Sequence, residues 1–98
     1  MVAKDLESFE ISDEKGVMIG GYRKSERKLY IWAVFSKQKG FLKESLNKLC
    51  GKYQTSDIEF TKIITPNLLM VLRGFVPIRV YDASMEEYRL DLVGRWVI

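Results

Sequence analysis

KLYIWAVFSKQKG, residues 28–40, decides the fold of this chain. Apolar, β-branched and aromatic side chains dominate its first part, so 28–35 reads as a strand. Leu29, Ile31, Ala33 and Phe35 alternate to one face, and Tyr30, Trp32 and Val34 to the other. Both faces are apolar, which predicts a central strand covered on both sides. The strand then breaks into a short basic loop that ends in Gly40. From Phe41 the period becomes helical: Leu42, Leu46, Leu49 and Tyr53 share one face, with Lys43, Glu44, Asn47 and Lys48 on others. Strand, glycine-ended loop and helix start can together aim backbone N–H groups and the positive end of a helix at an anion such as a pyrophosphate.

Downstream, the helix is expected over 41–50, with Gly51 as its stop. A connector, 52–57, leads to a strand over 58–64 (IEFTKII), rich in β-branched residues. Thr65 and Pro66 suit an N-cap and a first helical position, which predicts a short second helix over 67–73 ended by Gly74. Residues 75–81 and 87–93 read as an antiparallel pair around Asp82, Ala83 and Ser84. Pro77 belongs at a strand start, edge or bulge, because it cannot donate to a ladder. Tyr88, Leu90 and Leu92 alternate with Glu87, Arg89 and Asp91, so the latter set is expected on a wet face. The end, GRWVI, is too apolar for a free tail and is expected to dock on the core or on a second subunit.

Upstream, residues 1–8 read as a polar, frayed or disordered start, 9–11 as a short strand and 13–16 as a turn. A strand follows over 17–24, where Gly20 and Gly21 invite a bulge or a close backbone approach. Arg23, Lys24, Arg27 and Lys28 make the next turn basic. The expected order is strand–strand–strand–helix–strand–helix–strand–strand. That describes an α+β (mixed α/β) single domain over 1–98: a mostly antiparallel sheet, two helices, and one parallel pair where the first helix crosses between its flanking strands.

The bulk composition limits the function classes. The 98 residues carry 16 Lys and Arg against 13 Asp and Glu, a net charge of +3. That permits an anionic partner without arguing for nucleic acid, whose dedicated binders are more lopsided. The chain has no histidine, which excludes a His-dependent triad and an ordinary His-containing zinc site. Cys50 is its single cysteine, so it has no internal disulfide and no Cys metal cluster, as suits a reducing cytoplasm. Neither a signal-peptide run at the start nor an apolar stretch long enough for a membrane helix is visible.

The element order, with three local motifs, resembles the GCN5-related N-acetyltransferase (GNAT) family. Trp32-Ala33-Val34-Phe35 is similar to the family's fourth strand. Lys37-Gln38-Lys39-Gly40-Phe41-Leu42 is similar to its Arg/Gln-x-x-Gly-x-Gly/Ala signature, with Lys37 where Arg or Gln is usual and Leu42 where a small residue is. Asn67, the short helix and Gly74-Phe75 are similar to the run after the family's fifth strand. The resemblance covers roughly 16–93 and implies a short form without the usual N-terminal strand and two helices, which normally build much of the acceptor pocket.

That resemblance implies acetyl-CoA as the cofactor and an amine as the acyl acceptor. The backbone N–H groups of Lys37, Gln38, Lys39, Gly40, Phe41 and Leu42 would hold the pyrophosphate, helped by the charges of Lys37, Lys39 and Lys43. Main-chain groups of Val34 and Phe35 would meet the pantetheine or the thioester, in a slot where the two parallel strands splay, and Asn67 would add a contact. The family's usual acid is a tyrosine on the helix after that asparagine, and 67–73 contains none. Tyr30 and Tyr81 as acids, and Glu26 and Glu59 as bases, are the remaining candidates, and no catalytic residue is assigned. Two other readings stand beside this one: a catalytically degenerate module for interaction or homodimerisation through Trp96, Val97 and Ile98, and a small basic nucleic-acid binder using the 23–28 turn and the Lys37 to Lys43 face. The loop also has a plain reading, as a solvated strand-to-helix turn.

Overall fold

The computed structural model describes residues 5–61 and 74–97. Strands β1 (Leu6–Asp13), β2 (Gly16–Arg23) and β3 (Lys28–Ser36) precede helix α1 (Phe41–Tyr53), and β4 (Asp57–Phe60), β5 (Val76–Asp82) and β6 (Glu87–Arg95) follow. The strands form one six-stranded sheet in the order β1-β2-β3-β4-β6-β5. Every neighbouring pair is antiparallel except β3 and β4, the pair joined by the α1 crossover.

The expected fold class needs correction. A mixed, mostly antiparallel sheet with one parallel pair is present. The described residues carry one helix rather than two, and their order is β-β-β-α-β-β-β. The second helix expected over 67–73, with its cap at Thr65 and Pro66, lies outside the described residues, as do the last residues of the strand expected over 58–64. Strand β1 is longer than the expected 9–11 and begins at Leu6.

One core cluster lies between α1 and the sheet. The helix buries Phe41, Ser45, Leu46, Leu49 and Cys50. Its apolar side chains meet Met18 from β2, Leu29 and Ile31 from β3, Ile58 and Phe60 from β4 and Leu92 from β6. Full burial of each such Leu or Ile contributes about 1.5–3 kcal/mol. Phe75 joins the cluster edge-on to Phe60, at 5.8 Å between ring centres. The helix does not stop at Gly51. It runs on to Tyr53 and ends at Gln54, which is left-handed (φ 52°) and returns its N–H to the Cys50 carbonyl. The last turn is held by Tyr53, stacked on Tyr22 at 4.6 Å, and that packing offsets the roughly 1 kcal/mol cost of a helical glycine.

Strand β3 departs from simple alternation. Ile19 pairs with Ala33 while Gly20 pairs with Ile31, so Trp32 is unmatched and forms a bulge opposite the glycines. The extra residue reverses the faces. Leu29 and Ile31 point to the helix; beyond the bulge Val34 takes that side, and Phe35 is 62% exposed. Phe35 is therefore not on the face of Leu29 and Ile31, and the far half of β3 is not covered on both sides. The β6 alternation is corrected as well: Asp91 is fully buried, whereas Tyr88 and Leu90 are exposed. The C-terminal segment docks on the core through Trp96, whose Nε1 donates to Asn47 Oδ1 at 2.6 Å.

Candidate functional site

The loop from β3 into α1 is pinned from below by the β1–β2 turn. The Lys15 carbonyl accepts from the N–H groups of both Lys37 (2.8 Å) and Gln38 (3.1 Å). Ser36 Oγ donates to the Gln38 carbonyl at 2.8 Å, and the Phe41 N–H reaches that same carbonyl at 3.4 Å. Gly40 is the N-cap, with φ 92° and ψ −11°, a left-handed conformation that glycine adopts without strain. Its side-chain-less cap leaves the helix start open, and the first helical bond runs from the Glu44 N–H to the Gly40 carbonyl at 3.0 Å.

Among the described residues, the N–H groups of Lys39, Gly40, Leu42 and Lys43 have no partner. They cluster at the positive end of the helix dipole, beside the Lys37, Lys39 and Lys43 side chains. Lys37, Gln38, Lys39 and Gly40 are exposed, Leu42 is half-buried and the Phe41 side chain is core. The unengaged donors are thus displaced toward the helix from the expected run, because Lys37 and Gln38 are already bonded. A surface ion pair, Lys15 Nζ to Glu44 Oε2 at 3.2 Å, flanks the helix start. A shallow depression lined by Ile11, Asp13, Phe41, Glu44, Ser45 and Lys48 lies on its β1 side, away from β4. Asn67 lies outside the described residues.

The parallel pair is short. Leu29, Tyr30 and Ile31 match Ile58, Glu59 and Phe60, and the Thr61 N–H donates to the Ile31 carbonyl at 2.9 Å. Beyond that point β3 continues to Ser36 with no β4 partner among the described residues. The main chain of Val34 and Phe35 lies in this stretch, which leads from the end of the β3–β4 pairing up to the loop.

Candidate acids and bases are scattered and occupied. The Tyr30 hydroxyl donates to the Glu26 carboxylate, and its ring lies between Arg23 and Lys28, each 5.5 Å from the ring centre. Burial, then the bond to Glu26, pushes its pKa well above the ordinary phenol value, so Tyr30 is a reluctant acid. Tyr81 is exposed and packs edge-on to Tyr88 at 5.3 Å on the outer hairpin. Glu59 is buried, with Lys28 Nζ 2.8 Å from its Oε1. Burial first, and then a hydrogen bond with Asp91, raise its pKa. Asp91 in turn accepts from Arg89 Nε at 2.9 Å. Sequence reading missed this charged chain across β3, β4 and β6. Its signal was a single acid inside each of two apolar strand triplets, Ile58-Glu59-Phe60 and Leu90-Asp91-Leu92.

No family model and no curated protein matches the chain. Among solved structures its fold is similar to a crystal structure described as "putative acetyltransferase from Agrobacterium tumefaciens". The TM-score is 0.59 at 16% identity, over 93% of this chain and 74% of that one. At that identity the likeness is one of fold. The described residues carry one helix and a mixed sheet with a single parallel pair. Among the described residues no helix is long and apolar enough to cross a membrane.

Proposed function

We propose that this chain binds acetyl-CoA, or an acyl-CoA of similar size, at the start of α1. The carrying observation is the set of unpartnered N–H groups at Lys39, Gly40, Leu42 and Lys43, gathered at an uncapped helix start whose glycine is left-handed. Such donors match phosphate oxygens, and they need no side chain to do so. The pyrophosphate would sit on them, with Lys37, Gln38 and Phe41 shaping the loop beneath. The pantetheine arm would run beside Val34 and Phe35, toward the place where β3 meets β4. The fold likeness supports the reading because the protein it concerns is described as an acetyltransferase.

Acyl transfer to an amine would follow from that pose. The amine nitrogen attacks the thioester carbonyl, a C–N bond forms, the C–S bond breaks, the nitrogen gives up a proton and the CoA thiolate takes one. Holding the reactants in line supplies much of the rate in such a step.

The test is a titration of acetyl-CoA into isotopically labelled protein, followed by backbone amide shifts. Saturable shifts at Lys39, Gly40, Leu42 and Lys43, extending to Val34 and Phe35, are expected. An absence of shifts at millimolar ligand would overturn the reading. The interaction-module reading would then lead, since Val76, Ile78, Tyr81, Met85, Tyr88 and Leu90 leave the β5–β6 hairpin with exposed apolar surface.

A further inference from the structure

The face of the sheet away from α1 is open in its middle, where a sheet is ordinarily covered. Strands β2 and β3 lie second and third of the six, and their outward side chains include Ile19 at 36% exposure, Trp32 at 41% and Phe35. Ile19 pairs with Ala33 and Val17 with Phe35, so these four share the face. The bulge adds Trp32 to them. Its ring lies over Gly21, where a methyl carbon would stand 3.0 Å from the indole, and Gly21 is on the side of Ile19. Large apolar side chains exposed together at the centre of a sheet mark a surface that meets another layer.

The face has two unlike halves. Toward the 37–40 loop it carries Ile19, Phe35 and Glu10, the last standing opposite Ile19 on β1. Toward the 24–27 turn it carries Arg23, Lys28 and Tyr30, with the Arg23 guanidinium over the Tyr30 ring. Lys28 is taken by Glu59. Glu10 and Arg23 have no ion-pair partner among the described residues. The buried Nε of Arg23 has no hydrogen-bond partner among them either. One half thus offers an acid with apolar bulk, the other a cation with an aromatic ring, and Trp32 stands at the border.

We propose that a second copy of this chain covers this face, about a two-fold axis that crosses the strands at the level of Gly21 and Trp32. Such an axis turns each half of one copy onto the opposite half of the other. Glu10 of each copy then meets Arg23 of the other, Phe35 lies over Tyr30, and the two Trp32 rings meet at the centre. Every contact is made twice, as in any isologous pair. The strands of the two sheets stay within about 30° of a common line, as sheets packed face to face do. Six strands about 4.8 Å apart, rising about 3.3 Å per residue, offer a face on the order of 600 Å² in projection. That is the scale of the roughly 800 Å² each partner buries in a standard interface.

The interface lies across the sheet from α1, so its test is independent of acetyl-CoA. Sedimentation of the full chain over a concentration series should show a dimer with a Kd on the order of 10 μM or tighter. Glu10→Arg and Arg23→Glu should each weaken self-association by about tenfold or more, because each sets two like-charged pairs in the dimer. An equimolar mixture of the two variants should recover dimers, since a mixed pair restores an acid and a cation at both places. Where Arg23→Glu does not fold, Glu10→Arg and Phe35→Asp, both at exposed positions, decide instead, and each should weaken the dimer. Native protein that stays monomeric up to about 1 mM, or a dimer indifferent to these changes, would overturn the proposal. In a monomer, acrylamide quenching of Trp32, read in Trp96→Phe, tells an open face from one covered by another part of the chain, and both exclude the second copy.

Discussion

Gly16 and Phe41 touch in a way that seats the helix start. A methyl carbon built on Gly16 would stand 2.8 Å from Phe41 Cδ2, with the Phe35 carbonyl nearer still. The bare backbone of β2 is what lets the first helical side chain sink against the sheet. Gly16→Ala should destabilise the protein by about 1–3 kcal/mol through forced repacking against backbone that cannot yield. Urea unfolding measures this. The amides from Lys39 to Lys43 should shift with the displaced helix, and a native stability would show that Phe41 has room to move.

Gly40 is a different case, because nothing lies within 4 Å of the side chain it lacks. Only its φ of 92° constrains it. Gly40→Ala should cost about 1–2 kcal/mol from backbone strain, and Gly40→Asn less, since asparagine enters the left-handed region more readily. Gly40→Glu should in addition weaken acetyl-CoA binding, by placing bulk and negative charge on the phosphate approach. Calorimetric titration of the three variants separates strain from binding, and equal affinities for Gly40→Glu and Gly40→Ala would remove the loop from the site.

Acid unfolding should involve Asp5. Its two carboxylate oxygens accept from the Ser25 hydroxyl (2.6 Å) and the Ser25 N–H (2.8 Å), joining the start of the chain to the β2–β3 turn. Those bonds, the hydroxyl's first, hold its pKa below the ordinary 3.8. A depressed folded pKa stabilises above the unfolded value and stops doing so as pH falls through the folded one. The stability gap between native protein and Asp5→Asn should therefore narrow as pH drops below that ordinary value. A gap that stays constant with pH would contradict the pairing.

Tyr53 carries a hydroxyl that is buried without a hydrogen-bond partner among the described residues. Its ring, stacked on Tyr22 and tilted on Phe9, supplies the packing. Tyr53→Phe keeps the ring and removes the stranded oxygen, so it should be neutral or stabilising, within about 1 kcal/mol. Tyr53→Ala should destabilise by several times that amount, and thermal denaturation of both variants distinguishes the ring from the hydroxyl.

Cys50 should behave as core. It is buried on α1, and burial pushes its thiol pKa up to about 11. A thiol reagent should label it slowly in the native protein and quickly in denaturant, since the thiolate is the reactive form. Rapid labelling of native protein would mean that the helix opens locally.

Much of the fold was legible because local rules dominate there. The β3 to α1 transition shows in the change of period at Phe41, and the one parallel pair follows from the helical crossover after it. The glycines at 20 and 21 invited a bulge or a close backbone approach; the extra residue lies opposite them, at Trp32 of β3, and the Tyr30 carbonyl fills the space a side chain on Gly20 would need. The candidate site was legible only as a loop: sequence could place Lys37 through Leu42 together, but it could not show that the Lys15 carbonyl claims the first two amides. That claim depends on a turn more than twenty positions away.

The sequence by itself determined the strand-to-helix change at Phe41, the glycine-ended loop before it and the absence of histidine or paired-cysteine chemistry, because periodicity, turn residues and composition act over short spans. Tertiary structure alone decided which faces are buried. One unmatched residue, Trp32, reverses the pleat, so Val34 turns to the core and Phe35 to solvent. The separate β4–β6 register puts Asp91 on the face of Glu59, where both are buried, while Tyr88 and Leu90 stay outside. A strand's faces are set by register with its neighbours, and register is a property of the assembled sheet.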